Sequence, residues 1–390
     1  MERFTKSFTR QKPIPEAAIA AASRVMRSGI LHRYAPEAGE AAALETEFAA
    51  LIGARHAIAV ASGGYAMATA LRALGIGPGD PVLTNAWTLA PVPGAIAALG
   101  AKPILVEITE DLVIDLDDLA AKAGCARVLL LSHMRGHMAD MDRLAALCAA
   151  HGLALIEDCA HTMGAAWNGR PSGRWGAVGC YSTQTYKHVN SGEGGLIVTD
   201  DADLAAKMIL LSGSYMLHDR HGTAPDAAAF ARHAGDTPNI SGRMDELRAA
   251  ILRPQLAGLA ERAEDWNARY RALETAFADA PGLATIPRPA AEAFVGSSIQ
   301  VLARDPTRVP AFVAACAARG VEWKWFGDPE ARGFTSAHRH WGYVEPHGLP
   351  RTDAVLARLL DMRVPLTFDL SDCALIARIA DDEARNHLRR

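Results

Sequence analysis

Short apolar runs alternate with helical patterns between residues 57 and 200, and this alternation predicts the fold. The runs are apolar on consecutive positions, as in strands that are buried on both faces of a parallel sheet. The predicted strands are residues 57–60, 81–84, 103–108, 127–132, 153–158, 177–182 and 195–200. Helical patterns lie between several of them, at residues 65–74, 93–99 and 141–151. The pattern therefore predicts a doubly wound α/β fold with a mostly parallel sheet.

The pattern changes near Met244, where apolar residues recur at helical spacing over residues 244–277. We predict a long helical connector here, with a break at Pro254 because proline disrupts a helix interior. Beyond it, a strand at 298–303, a helix at 309–319 and a helical C-terminal end indicate a smaller α+β domain. The predicted organisation is an N-terminal arm (1–30), a large α/β domain (31–250), and a connector helix with a small C-terminal domain (251–390).

Composition narrows the class of protein. Half of the 390 residues are apolar and 22% are charged, which is typical of a globular protein with a sizeable core. The net charge is −4, without a long run of like charges, which argues against nucleic acid or an acidic membrane as partner. The six cysteines form no C-x-x-C pair, the N-terminal segment has no apolar core of signal-peptide length, and no uncharged apolar stretch is long enough for a membrane span. We expect a cytoplasmic protein with reduced thiols.

Three local patterns carry candidate chemistry. Lys187 lies in a loop between two predicted strands, where a lysine of lowered pKa can form a Schiff base. Asp158 ends a predicted strand, at the edge where α/β proteins bind ligands. Residues 59–71 form a strand, a small-residue turn and a helix, whose N-terminal N–H groups can bind an anion.

Each pattern also has an ordinary structural interpretation, namely a solvated lysine, a helix-capping aspartate and a tight turn. A single ligand that uses all three needs a carbonyl group, a basic ring nitrogen and a phosphate. Pyridoxal 5′-phosphate (PLP) has these groups, since a lysine holds its aldehyde and a carboxylate keeps its ring nitrogen protonated.

Six sequence segments then point to one enzyme family. They read SGGYAMATAL (62–71), TNAWTLAPV (84–92), HMRGHMADM (133–141), EDCAHTMGA (157–165), YSTQTYKHVNSGEGG (181–195) and NISGRMDELRAA (239–250). In type and order they match signatures of the DegT/StrS-type sugar aminotransferases, and the chain resembles that family. The resemblance implies the fold of type I PLP-dependent transferases, with PLP bound by the large domain.

The resemblance also implies roles for individual residues. Lys187 and Asp158 are the expected catalytic pair: Lys187 forms the Schiff base and shuttles the proton, and Asp158 binds the pyridinium nitrogen. The other expected cofactor contacts are His161 near the phenolic oxygen, Trp87 stacked on the ring, Ser182, Gly64 and Tyr65 at the phosphate, and Asn239 at the phosphate of the neighbouring subunit. Sharing of Asn239 implies a homodimer with shared active sites.

Three departures from the family pattern affect these expectations. Gly64 stands where the family usually has threonine, and two extra residues lengthen the N-x-R-M segment that begins at Asn239. The family's H-Y motif is replaced by EWKWFGDPE (322–330), followed by GFTSAHRHWGYV (333–344). These two segments are expected to shape the acceptor pocket, so the acceptor stays open.

The implied function is a PLP-dependent aminotransferase that works by a ping-pong mechanism. Its expected small-molecule partners are L-glutamate or L-glutamine as donor and a keto-sugar or keto-cyclitol as acceptor. One alternative is a sugar dehydratase or deoxygenase on the same scaffold, although such relatives tend to carry histidine in place of Lys187. A second is a PLP-binding regulatory protein without turnover. The pairs His133/His137 and His338/His340 lack matching ligands in sequence, so we predict no metal site.

Overall fold

The computed structural model of the chain describes residues 2–34, 39–345 and 348–389. The helices are α1 (Glu16–Ser28), α2 (Glu40–Ile52), α3 (Gly63–Ala73), α4 (Pro91–Ala97), α5 (Leu116–Lys122), α6 (Met141–His151), α7 (Ala202–Ser212), α8 (Ala227–His233), α9 (Glu246–Ala257), α10 (Leu259–Ala278), α11 (Val309–Ala318), α12 (Pro350–Leu356) and α13 (Leu370–His387). The strands are β1 (His56–Val60), β2 (Pro81–Asn85), β3 (Lys102–Val106), β4 (Val128–Ser132), β5 (Ala154–Asp158), β6 (Ala166–Trp167), β7 (Arg170–Pro171), β8 (Val178–Ser182), β9 (Gly195–Thr199), β10 (Leu283–Thr285), β11 (Glu292–Ala293), β12 (Ser298–Ala303), β13 (Lys324–Trp325) and β14 (Leu359–Arg363).

A seven-stranded sheet forms the centre of the larger part of the molecule. Its strand order is β1-β9-β8-β5-β4-β2-β3. The neighbours from β8 to β3 are parallel, and β9 runs antiparallel to both β1 and β8. The predicted α/β fold with a mostly parallel sheet is therefore confirmed.

Helices cover both faces of this sheet, which explains why its strands are apolar on consecutive positions. Val82 and Leu130 join one buried cluster together with residues of α3 and α7. Leu83 and Leu129, their chain neighbours, join a second cluster with residues of α6. Successive strand side chains point to opposite faces, so each strand supplies both layers of the core.

A second, antiparallel sheet of four strands, in the order β10-β12-β14-β13, carries the C-terminal part of the chain. Its core also holds Phe4 and Phe8 from the N-terminus, whose rings both pack edge-on against Phe368 at 5.0 Å between centroids. Phe4 and Phe8 thus attach the N-terminal segment to the C-terminal part. The domain boundaries at residues 30 and 250 stay predictions.

The predicted break in the connector helix needs a correction. The helical run is interrupted at Gly258, between α9 and α10, and Pro254 lies inside α9. The side chain of the next residue, Gln255, donates a hydrogen bond to the carbonyl of Ile251 at 2.8 Å. Across the described residues, no helix combines the length and the apolar character needed to cross a membrane.

Candidate active site

The carboxyl ends of neighbouring strands bring the predicted site residues to one edge of the sheet. Ser132 ends β4 and pairs in register with Asp158, which ends β5. Ser182 ends β8, the next strand in the sheet. Ligands of α/β proteins bind at this edge, because the connections beyond the strand ends leave a crevice there.

A cavity of about 460 Å³ opens at this edge. Five of the residues predicted from the sequence line it, namely Gly64, Asp158, His161, Ser182 and Lys187. The lysine and the aspartate, which lie 29 positions apart in the chain, thus face one space. The cavity is large enough for a small-molecule ligand.

Asp158 is a buried carboxylate with defined partners. It accepts hydrogen bonds from Ser132 Oγ at 3.0 Å and from the backbone N–H of Ala160 at 3.1 Å. Burial raises the pKa of this carboxyl, and the nearby Lys187 opposes the rise. A cationic ligand nitrogen beside Asp158 would stabilise its ionised form in the same way.

Lys187 lies in the loop between β8 and β9, and burial lowers the pKa of its amine to about 7. Asp158 opposes this shift, whereas the positive charge of Arg135 adds to it. About half of such a lysine is uncharged near neutral pH, and this form can act as a nucleophile or a base.

His161 is the hydrogen-bonding partner of this amine, with 2.9 Å between Nε2 and the lysine Nζ. Its other ring nitrogen accepts the backbone N–H of Arg135 at 3.4 Å, so the ring proton belongs on Nε2. Burial holds the pKa of His161 well below its usual value. The ring is therefore uncharged at neutral pH.

The turn before α3 brings the N-terminal end of that helix to the cavity. Ser62 caps α3, and Ser62, Gly63 and Gly64 line the cavity together with Ser182. A Cβ added at Gly63 would lie 2.9 Å from the Cβ of Ser182, so the two elements are in close contact. Helix N–H groups and a serine hydroxyl at one place suit a phosphate.

Two of the predicted contacts, Tyr65 and Trp87, are not among the residues that line this cavity, and their roles stay predictions. The backbone N–H of Tyr65 is already bonded to Ser62 Oγ at 3.0 Å, and Tyr65 does not line the cavity. Trp87 does not line the cavity either, because its indole is buried in a separate cluster and packs against Phe326 at 5.7 Å between ring centroids. The neighbouring Thr88 faces the cavity instead.

Asn239 lies apart from this cavity and is exposed. It belongs to the segment that follows α8, where Arg243 donates a hydrogen bond to the carbonyl of Gly213 at 2.8 Å. The expected role of Asn239 in a neighbouring subunit stays a prediction.

Several lining residues were missed in the sequence. Thr88 Oγ1 and Ser132 Oγ lie 2.7 Å apart, and together they extend the hydrogen bonding of Asp158. Ser132 could have been found, because it ends the strand next to that of Asp158. Arg135 and Arg363 also line the cavity. Arg135 lies within one of the recognised segments, whereas no local pattern marks Arg363.

The histidines weighed as metal ligands have protein partners. His137 Nε2 lies 2.8 Å from Gln300 Oε1, and His338 pairs with Asp353. A different group, His133 with Glu157 and Cys159, has its ligand atoms within 4.8 Å of one another. The Glu157 carboxylate there also accepts three backbone hydrogen bonds, from the residues at 173, 175 and 176, which accounts for it as a structural group.

Comparison with known proteins identifies the family. The family model of the DegT/DnrJ/EryC1/StrS aminotransferases matches residues 13–378. The chain belongs to this family.

Curated relatives carry both enzymatic and regulatory names. The dTDP-3-amino-3,4,6-trideoxy-alpha-D-glucose transaminase of Streptomyces venezuelae is 37% identical over 272 residues, which are 69% of this chain and 65% of that protein. A "pleiotropic regulatory protein" of Geobacillus stearothermophilus is 35% identical over 244 residues, 60% of this chain and 62% of that protein. The chain thus spans somewhat less than two thirds of the length of these relatives.

Solved structures match nearly the whole chain. The structure of S. venezuelae DesV in complex with a ketimine intermediate has a TM-score of 0.80 and 29% identity, and it covers 94% of both chains. The structure of 3-amino-5-hydroxybenzoic acid synthase has a TM-score of 0.84 and 25% identity, covering 97% of this chain and 99% of that one. The predicted type I transferase fold is confirmed by these matches.

Proposed function

We propose that the protein is a PLP-dependent aminotransferase that takes an amino group from L-glutamate or L-glutamine and passes it to a keto-sugar or keto-cyclitol. The observation that carries this proposal is the pair Lys187 and Asp158, which face one cavity at the carboxyl edge of the sheet. Membership of an aminotransferase family supports the reaction type.

The residues of the cavity fit the three functional groups of PLP. Lys187 supplies an amine of low pKa for the aldehyde, and Asp158 supplies a buried carboxylate for the ring nitrogen. The Ser62–Gly64 turn and Ser182 supply the donors for the phosphate. PLP, when bound, accepts the electrons that are released as the substrate's Cα–H bond breaks.

Lys187 is suited to move the substrate proton. The pKa of its amine, about 7, is close to neutral pH, where a general base must both accept and return a proton. His161 holds the amine by a hydrogen bond at 2.9 Å and so restricts its position. Thr88 and Ser132 hold the Asp158 carboxylate through a chain of two hydrogen bonds.

Two further features belong to the proposal. Asn239 would complete the phosphate site of the partner in a homodimer, in line with its exposure and its absence from the lining of this chain's own cavity. The six cysteines are all free, which is typical of proteins in a reducing compartment and supports a cytoplasmic location.

A regulatory role without turnover is the second candidate, because one relative is named a regulatory protein. It predicts cofactor binding without any amino-group transfer. The dehydratase alternative is disfavoured by Lys187, since such enzymes tend to carry histidine at this position.

The proposal is tested by the first half-reaction. The PLP-loaded protein is mixed with L-glutamate or L-glutamine, and the absorbance of the lysine-linked cofactor is followed together with release of the 2-oxo acid. An aminotransferase gives a stoichiometric absorbance change and one equivalent of 2-oxo acid. The Lys187→Ala variant should lose this half-reaction. The control variant Lys102→Ala, altered at an exposed lysine, should retain it.

Absence of any half-reaction with amino acids would instead favour the regulatory candidate. If the half-reaction occurs, the aminated form of the cofactor complex is used to screen keto-sugars and keto-cyclitols. An acceptor is recognised by return of the original absorbance.

A further inference from the structure

The residue that follows Lys187 is a buried histidine whose ring contacts three other parts of the chain. His188 is 3% exposed. Its Nδ1 lies 2.8 Å from the carbonyl oxygen of Met163, and its Nε2 lies 3.1 Å from Ser297 Oγ. The ring also packs against the indole of Trp266 on α10, with 5.1 Å between ring centroids. The loop that carries Lys187 is therefore attached to the core at the very next residue.

Both hydrogen bonds of His188 have a defined direction. A carbonyl oxygen only accepts, so Nδ1 carries the ring proton and donates it to Met163. Burial lowers the pKa of His188 to about 4, so the ring is neutral near pH 7. Its Nε2 then accepts the hydroxyl proton of Ser297. Both ring nitrogens are thus bonded inside the protein, and His188 does not line the cavity.

One segment of the chain holds Lys187 at both ends of its side chain. His161 lies 2.9 Å from the amine, and Met163, two positions later, accepts the hydrogen bond of His188, the neighbour of Lys187 in the chain. On the other side, the backbone N–H of Lys187 donates to the carbonyl of Gln184 at 2.8 Å. The lysine stem is flexible, so its amine stays at one point only if its backbone is held as well.

We propose that His188 is a positioning residue, which holds the backbone at Lys187 so that the amine meets the aldehyde of the cofactor. The inference rests on the proposed function and adds a residue to its machinery. The neutral amine attacks the aldehyde carbon, a C=N bond replaces the C=O bond, and the oxygen leaves as water with both amine hydrogens. Because His188 lies outside the cavity lining, it acts on this step through Lys187.

The position of Lys187 is tested by comparing two forms of the cofactor. PLP can bond to the lysine, whereas pyridoxamine phosphate, with an amine in place of the aldehyde, cannot. The affinity of each for cofactor-free protein is measured by equilibrium dialysis for the wild type and for His188→Phe, which keeps a ring beside Trp266 and loses both hydrogen bonds.

The two affinities are expected to respond differently. His188→Phe should bind PLP roughly tenfold more weakly or worse, and its affinity for pyridoxamine phosphate should change by less than about twofold. Its half-reaction with an amino donor should be slower by about 100-fold, because the displaced amine no longer meets the reacting carbon. A role of His188 in general stability alone would weaken the binding of both cofactor forms to the same degree.

Three further variants separate positioning from loss of structure. Ser297→Ala removes only the bond to Nε2 and should give a smaller loss of PLP affinity, and adding it to His188→Phe should cost nothing more. His188→Asn keeps a donor for Met163 and should recover part of the affinity. His56→Phe is the matched control, because His56 also bonds to a backbone carbonyl, that of Thr223, at 2.6 Å and lies outside the cavity lining. It should leave both affinities unchanged.

The inference is overturned if His188→Phe binds PLP as the wild type does, or if the affinities for both cofactor forms fall equally. Circular dichroism and the melting temperature show whether each variant is folded. If His188→Phe does not fold, Ser297→Ala and His188→Asn decide the matter by the same comparison.

Failure of the proposed function gives a different result. A wild type that bonds PLP at Lys187 but performs no half-reaction with amino acids would refute the aminotransferase, while the two affinities would still decide the role of His188. A wild type that forms no bond between PLP and Lys187 would refute both proposals.

Discussion

The buried amine of Lys187 is expected to destabilise the cofactor-free protein in a pH-dependent way. Burial lowers its pKa from 10.5 to about 7. Between these values the unfolded chain binds a proton at this lysine that the folded protein does not, so stability rises with pH in this range. Below pH 7 the lowered pKa costs the folded protein about 5 kcal/mol of stability, the free-energy equivalent of the fall from 10.5 to about 7. Above pH 10.5 this cost vanishes, because the lysine is uncharged in both states.

Substitution by methionine removes this titration while keeping a chain of similar length. The free energy of unfolding of Lys187→Met minus that of the wild type is expected to be largest near pH 7. This difference should fall by about 1.4 kcal/mol per pH unit up to pH 10. Loss of the hydrogen bond to His161 subtracts a constant of about 1–3 kcal/mol, because the histidine nitrogen is left unpaired. The slope with pH, not the offset, is the informative quantity.

The assay is urea unfolding of cofactor-free protein at matched concentration, followed by far-UV circular dichroism and by tryptophan fluorescence at pH 7.5, 8.5 and 9.5. Lys102→Met is the control, since Lys102 is exposed, and it should keep the wild-type dependence on pH. A difference between Lys187→Met and the wild type that stays flat from pH 7.5 to 9.5 would refute the lowered pKa.

Three other substitutions test separate parts of the structure. Asp158→Asn should retain the cofactor but slow the half-reaction at least about 100-fold in rapid-mixing experiments, because a neutral amide does not keep the ring nitrogen protonated. Gly63→Ala should weaken PLP binding roughly tenfold in equilibrium dialysis, because its new carbon would lie 2.9 Å from the Cβ of Ser182. Gly64→Ala should bind PLP nearly as the wild type does, because no atom lies nearer than 3.9 Å to its new carbon. Equal affinities of the two variants would contradict the close packing of this turn. Glu45→Gln should lower the free energy of unfolding at pH 7 by about 3–5 kcal/mol, because it removes the negative charge that neutralises the buried Arg33. The buried His221 and Arg33 hold the pKa of Glu45 at about 2 against the opposing effect of burial. The stability that ionised Glu45 contributes is therefore present above pH 4.5 and is lost as the pH falls toward 2. Urea unfolding from pH 7 to pH 3 that shows no difference between variant and wild type would contradict this contribution.

The large sheet and the central pair of residues could be predicted because they depend on local patterns. The strand that ends at Asp158 and the loop that holds Lys187 are bounded by apolar runs that the structure keeps as β5, β8 and β9. In a parallel sheet the strand ends fall at one edge, so the meeting of these residues follows from topology alone.

The side chains just beyond a strand end could not be placed in the same way. Strand β2 ends at Asn85, whose side-chain amide donates to the carbonyl of Trp87 at 2.9 Å and to that of Ser132 at 3.2 Å. These bonds fix an irregular turn, to which the alternation of strand side chains no longer applies. Thr88 therefore faces the cavity where Trp87 was expected.

Contacts between distant parts of the chain were also beyond local patterns. Arg363 reaches the cavity because β14 lies in the C-terminal sheet, which is positioned by tertiary packing and not by the neighbours of Arg363 in the sequence. The helical run likewise continues through Pro254 and is interrupted only at Gly258, although proline usually disrupts a helix interior.

Reductive trapping of the cofactor tests the central claim most directly. PLP-loaded protein is treated with borohydride, digested and mapped by mass spectrometry, which locates the lysine that holds the aldehyde. The account predicts that the reduced cofactor is attached to the peptide that contains Lys187, and that Asp158→Asn keeps this attachment. Attachment to another lysine, or none at all in a folded protein, would contradict it.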